Sequence, residues 1–205
     1  MLQAAAIILA GGKNSRMEKN KALLKMGEKT VIERIIDELE PLVERIIVVT
    51  NSPEEYSWLG VEVIRDIVPG RGPLSGIHAG LKHSPYRYNL VVACDMPFVS
   101  RKLGQLLLRR TEGCQAVVPR INQKPQPLFA VYSRDCIQPI EQMLQKGRLK
   151  CTSFYDLVSV VYLDESEIGT TASLEVAFTN INTPEEFERA LAIAKVNEAR
   201  GNGKH

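Results

Sequence analysis

Seven short apolar runs rich in β-branched residues recur along the chain, at Ala4–Ala10, Ile46–Thr50, Val61–Ile64, Leu90–Cys94, Ala116–Pro119, Leu128–Tyr132 and Val158–Leu163. Most are separated by segments with helical periodicity. That alternation specifies an α/β protein, a mostly parallel sheet with helices on both faces in three layers. Ala116–Pro119 and Leu128–Tyr132 are joined only by the polar stretch Arg120–Pro127, too short for a helical crossover, so this pair is read as a hairpin that puts one antiparallel strand in the sheet. Thr30-Val31-Ile32-Glu33, Ser52-Pro53-Glu54-Glu55 and Thr183-Pro184-Glu185-Glu186 have the capping-box form and mark helix starts. Residues 1–196 form one domain on this reading, and the polar, aperiodic 197–205 is expected to be a frayed tail.

Composition narrows the function. A hydrophobic fraction of 44% with 24% charged residues over 205 residues is that of a soluble globular domain. A net charge of +2 makes no electrostatic case for nucleic acid as a partner. Cys94, Cys114, Cys136 and Cys151 form no Cys-x-x-Cys pair, so neither a zinc site nor a disulfide framework is expected. The first apolar run lacks a preceding basic segment and no later run is long enough to span a bilayer, so no membrane partner and a cytoplasmic location are expected.

In open α/β sheets ligands bind outside the carboxyl ends of the strands, so the residues just beyond each apolar run are the informative ones. After Ala4–Ala10 comes Gly11-Gly12, then Arg16 and Lys21. That is a loop able to present backbone N–H groups and two cations to a phosphate, or alternatively a plain turn with solvated basic residues. Its spacing is neither a Walker A loop nor a dinucleotide fingerprint. Asn51 comes after the second run, Arg65 and Asp66 after the third, and Asp95-Met96-Pro97 after the fourth. Asp66 either accepts from a ribose or base N–H or caps a turn. Asp95 ends an apolar strand, where a carboxylate without a cation or donor is costly. A hard cation such as Mg²⁺ is bound by one or two carboxylates plus substrate phosphates, and Ser100 is the better cap for the next helix, which leaves Asp95 for a ligand. Gly70–Gly76 is a second glycine-rich loop leading into a helix.

Leu9-Ala10-Gly11-Gly12 with Ser15-Arg16-Met17 and Lys21, Gly72-Pro73-Leu74-Ser75-Gly76-Ile77, Cys94-Asp95-Met96-Pro97-Phe98, Pro127-Leu128-Phe129-Ala130 and Asn180-Ile181-Asn182-Thr183-Pro184-Glu185-Glu186 together resemble the molybdenum cofactor guanylyltransferase family, in order and over nearly the whole chain. The resemblance implies a Rossmann-like nucleotidyltransferase that joins GMP from GTP to the terminal phosphate of molybdenum-bearing molybdopterin and releases pyrophosphate. It implies Mg²⁺ as cofactor and other cofactor-synthesis proteins and apo-molybdoenzymes as partners. By position it assigns Leu9, Ala10, Gly11, Gly12, Lys21, Asn51, Asp66 and Asp95 to GTP, with Asp95 as the metal ligand. Gly72 and Gly76 are added from the second loop, and Arg16, Lys21 and Asp95 are the expected catalytic set. The second substrate is expected in the C-terminal half, near Arg120, Lys124, Arg148, Lys150, Asn180 and Asn182, although four basic residues in loops also suit a solvated surface. The family commonly has Asp before the lysine; Asn20 stands there. The rival readings are a molybdopterin cytidylyltransferase, which Gly12 disfavours by leaving room for a purine, a sugar-phosphate nucleotidyltransferase of the same fold, and a non-catalytic nucleotide-binding adaptor.

Overall fold

The computed structural model describes residues 2–11, 20–169 and 176–201. Ten strands form among them: β1 (Leu2–Leu9), β2 (Lys25–Met26), β3 (Lys29–Thr30), β4 (Val43–Thr50), β5 (Glu62–Arg65), β6 (Tyr88–Ala93), β7 (Ala116–Ile121), β8 (Lys124–Pro125), β9 (Phe129–Ser133) and β10 (Val160–Asp164). The helices are α1 (Val31–Leu39), α2 (Pro73–His83), α3 (Arg101–Arg109), α4 (Ile137–Gln145), the short α5 (Glu165–Ile168) and α6 (Pro184–Gly201). Every expected apolar run is a strand. The main sheet has the order β10-β7-β9-β6-β1-β4-β5. β1 pairs in parallel with both β4 and β6, and β9 is antiparallel to its neighbours β6 and β7.

From Ala4 onward β1 is buried on both faces, and its alternating side chains feed two cores. Ala4, Ala6 and Ile8 pack with Ile32 and Ile35 of α1, Leu103 and Leu107 of α3 and Ala190 of α6. Ala5, Ile7 and Leu9 pack with Leu74, Ile77 and Leu81 of α2 and Ile140 of α4. That makes three layers. The strand order also reverses at β1, since the chain runs outward through β4 and β5 and then returns to the opposite side of β1 as β6. The carboxyl end of β1 is therefore a topological switch point, where the loops on either side diverge and leave a crevice.

Three details differ from the sequence reading. The Arg120–Pro127 stretch is not all loop: Asn122 and Gln123, at φ 49° and 62°, make a two-residue turn that pairs β8 with β7, adding a second, very short antiparallel strand. Thr30 closes its capping box with Glu33, but Ser52 makes no side-chain cap and Pro53–Leu59 is a 3-10 helix. α6 continues to Gly201, five residues into the expected tail, because Asn197, Glu198, Ala199 and Arg200 contain neither proline nor glycine to stop it.

The approach of α2 to β1 fixes where the crevice lies. Gly76 and Gly80 lie one turn apart and face the strand; a Cβ on Gly76 would stand 3.1 Å from Leu9 Cδ2, and one on Gly80 2.5 Å from Ile7 Cγ2. Gly80→Ala is thus expected to lower stability. The alanine gains about 1 kcal/mol of helix propensity, but overpacking against a β-branched side chain on a central strand costs about 1–3 kcal/mol. Chemical denaturation should give a lower midpoint than the parent; an equal or higher one would mean that the helix retreats freely.

Candidate active site

Three strand ends build the crevice, and main-chain hydrogen bonds hold them in step beyond the strands themselves. Ala10 N–H donates to Val49 O at 2.8 Å and Cys94 N–H to Leu9 O at 3.1 Å, so the residues leaving β1, β4 and β6 stay aligned. Leu9, Ala10, Gly11, Lys21, Asn51 and Asp95 line one cleft there. Leu9, Gly11 and Asn51 also line an adjoining cleft with Asp66, Gly72 and Gly76. The two share a wall at β1, so together they offer an elongated site with a charged end at Lys21 and Asp95 and a glycine-rich end at the start of α2. Gly72 begins α2 at φ 73°, ψ −169°, a backbone region that favours glycine. Gly12 and Arg16 lie outside the described residues.

The charged end is organised by residues far apart in sequence. Lys21 opens a 3-10 turn, Lys21–Leu23, and its Nζ donates to Asn182 Oδ1 at 3.1 Å. Ile181 N–H donates to Asp95 O at 2.8 Å, so the segment entering α6 touches both the lysine and the aspartate loop. Asn182 and Thr183 N–H groups in turn donate to the Glu186 carboxylate. Burial holds the Asp95 carboxyl above the usual aspartate range; the Lys21 ammonium pulls it down, and Glu186 pushes it up again. Asp95 is therefore a carboxylate short of positive charge. Ser100, not Asp95, caps α3, accepting from Leu103 N–H at 3.3 Å, as the sequence suggests. Asp66 does cap a turn, its Oδ1 accepting from Val68 N–H at 3.0 Å and from the Ser75 hydroxyl, and it lines the glycine-rich cleft as well.

Lys21 and Asp95 thus share one cleft at the switch point, and burial holds the carboxyl of the second above its usual range. A family model described as "MobA-like NTP transferase domain" matches residues 6–160. The chain belongs to that family. Among curated relatives, a probable molybdenum cofactor guanylyltransferase of Pelotomaculum thermopropionicum is 43% identical over 195 residues, covering 95% of each chain. One of the same name from Clostridium perfringens is 41% identical, covering 92% of this chain and 96% of its own. Among solved structures, molybdopterin-guanine dinucleotide biosynthesis protein A of Archaeoglobus fulgidus superposes with a TM-score of 0.80 at 27% identity, over 93% of this chain and 98% of that one. A CMP:2-keto-3-deoxy-manno-octonic acid synthetase, at 13% identity and a TM-score of 0.73 over 96% of this chain and 100% of its own, shares the fold alone. Both are mixed α/β nucleotidyltransferase folds, and the MobA-like chain is a nucleotidyltransferase.

In this MobA-like domain the residues expected for the second substrate do not gather. Arg120 is engaged by Asp164 in a two-point ion pair, 2.7 Å at each contact, and lies over the Tyr162 ring. Lys124, Arg148, Lys150 and Asn180 are exposed, and none of the six residues lines either cleft. Asn182 instead reaches Lys21. Residues that the sequence reading passed over include Glu55 and Tyr56, which the 3-10 helix after β4 brings to Asn20. No group of three or more His, Cys, Asp or Glu that could hold a metal occurs among the described residues, so any metal here would lean on Asp95 and on ligands from the substrate.

In the folded chain the Asp95 carboxyl keeps its proton to higher pH than in the unfolded chain. As pH rises past the ordinary value near about 3.9, the unfolded state therefore ionises first and stability falls. The loss is complete above the raised value. Asp95→Asn should accordingly melt higher than the parent at neutral pH in nucleotide-free, metal-free buffer, and the gap should close as pH falls through about 4. A lower melting point at neutral pH would show that the ionised carboxylate stabilises the fold.

Proposed function

We propose that this protein transfers GMP from GTP to the terminal phosphate of molybdenum-bearing molybdopterin, releasing pyrophosphate and forming the guanine dinucleotide of the cofactor. The observation that carries the reading is Asp95, held above its usual range by burial and facing Lys21 in the cleft at the end of β1. Identity of 41–43% to relatives named molybdenum cofactor guanylyltransferase, over more than nine-tenths of the chain, supports it. On this reading the N-terminal half binds GTP and the C-terminal half the pterin, in a single cytoplasmic domain. Cofactor-synthesis partners and apo-molybdoenzymes then receive the product.

The acceptor's phosphate monoester has a second pKa of about 6 and is largely ionised at neutral pH, so no side chain need remove its proton. Its oxygen attacks the α-phosphorus of GTP while the bond to the β-phosphate oxygen breaks. What the chain must supply is alignment and positive charge. Gly11 and Gly12 let the backbone approach the triphosphate, and Lys21 and Arg16 neutralise the charge that grows on the leaving pyrophosphate. Asn182 holds the Lys21 ammonium at the cleft until phosphate replaces it. Asp95 would hold Mg²⁺, whose chemistry when bound is to withdraw charge from the phosphate oxygens. The glycine-rich end, at Gly72 and Gly76, suits a purine lying against backbone groups.

Purified protein with GTP, Mg²⁺ and molybdenum-molybdopterin should release pyrophosphate in step with guanine dinucleotide. Asp95→Ala should abolish turnover, and Lys21→Ala should lower kcat/KM. Adenine leaves guanine-matching groups unpaired at about 1–3 kcal/mol each, so GTP should be preferred to ATP by well over tenfold, on the same scale. Equal use of ATP, or full activity in Asp95→Ala, overturns the reading.

A further inference from the structure

Lys21 acts only if its ammonium is delivered to the same place on every turnover, and the residue before it is tied in a way that serves this. The Asn20 amide nitrogen donates to Glu55 Oε2 at 2.7 Å and to the Tyr56 hydroxyl at 2.8 Å. Its carbonyl oxygen accepts from Ala22 N–H at 3.2 Å and so caps the turn that carries Lys21. Tyr56 is fully buried, and burial pushes its hydroxyl up to about 12, so it remains a donor at any working pH. Its own proton has two acceptors in reach, Asn20 Oδ1 at 3.2 Å and Ala10 O at 3.4 Å. The chain Glu55, Asn20, Tyr56, Ala10 thus joins the residue that leaves β1 to the residue that precedes Lys21. Those are the two positions flanking the glycine loop.

We propose that Asn20 is a positioning residue for Lys21: its amide, held between the Glu55 carboxylate and the Tyr56 hydroxyl, fixes the lysine turn relative to the end of β1, and Glu55 is the reason that position holds an amide rather than an acid. The chemistry decides between the two. An amide nitrogen has two protons, and both are used here, one on an anion and one on a neutral oxygen. A carboxylate at position 20 could still cap Ala22 and accept from the Tyr56 hydroxyl, as the amide oxygen does at 3.2 Å, but it has no proton for Glu55 and would set a second negative charge against it at hydrogen-bond range. Such an acid is pushed away from Glu55 and draws the lysine turn with it. An ångström of drift matters for a group whose work is to meet charge developing on a phosphate. Position 20 and position 55 are therefore matched, and a chain with an acid at 20 needs a neutral or basic partner where Glu55 stands.

The inference rests on the guanylyl transfer proposed above, and its test is a double-mutant cycle read in kcat and KM. Asn20→Asp is expected to lower kcat/KM for GTP on the order of tenfold, mostly in kcat, with a melting point well above the assay temperature. Adding Glu55→Gln should return most of the lost kcat, because the neutral amide at 55 removes the repulsion and can donate to the new carboxylate at 20. Asn20→Ala, which deletes the link without adding charge, should also lose kcat, and Glu55→Gln should restore nothing there. Parental kcat/KM in Asn20→Asp or Asn20→Ala, or a loss in Asn20→Asp that Glu55→Gln leaves untouched, overturns the role of Asn20. Transfer by the parental protein separates the two questions: its absence overturns the functional reading, whereas parental activity that both Asn20 variants retain overturns only this one.

Discussion

β1 has neighbours on both edges and helices on both faces, and that enclosure determines where anything else can happen. With Ala5, Ala6, Ile7 and Ile8 at 0% exposure, the central part of the strand offers no side chain to solvent before its carboxyl end. A buried strand cannot present polar chemistry along its length without unpaired groups. Function is thereby confined to the point where β1 stops, and the parallel neighbours β4 and β6 bring their own ends to the same edge. The small residues on this path have a packing purpose. Gly76 and Gly80 let α2 lie directly on Leu9 and Ile7, which carries the amino end of α2 to the crevice and makes the glycine-rich wall.

The charges sort by how fully they are answered. Arg120 and Asp164 answer each other's charge in a two-point pair, which raises the arginine and lowers the aspartate. Asp95 is the opposite case. Its burial opposes ionisation, the Lys21 ammonium and a backbone hydrogen bond only partly compensate, and Glu186 adds repulsion. The comparison separates a basic residue that is paired from one that lines the cleft, where counting basic residues in loops does not.

What was legible in the sequence divides along the same line. The strands were legible because each is an apolar run packed into the sheet, and the Thr30 and Ser100 caps were legible because capping is a local exchange between a side chain and an N–H three residues on. Of the described residues read at the strand ends, Gly11, Asn51, Asp66 and Asp95 line the two adjoining clefts and Arg65 does not. Ser52 looked like Thr30 but its backbone, at φ −126° and ψ 70°, takes it out of capping geometry, and proline after it starts a 3-10 helix. The contacts of Asn182 with Lys21 and of Glu55 with Asn20 had no local signal at all, being separated by 161 and 35 positions. Asn182 was accordingly grouped with the basic loop residues, whereas its hydrogen bond is to the lysine.

That long reach also decides what the site depends on. Lys21 comes from near the start of the chain and Asn182 from near its end, and the same late segment donates to Asp95 O through Ile181, which is wholly buried. Ile181 lies in the same core as Met96 and Val99. The strands that pair with β1, by contrast, come from the first half of the chain. Both ends of the sequence thus meet at the cleft beyond β1, through Asn182 on Lys21 and Ile181 on Asp95 O.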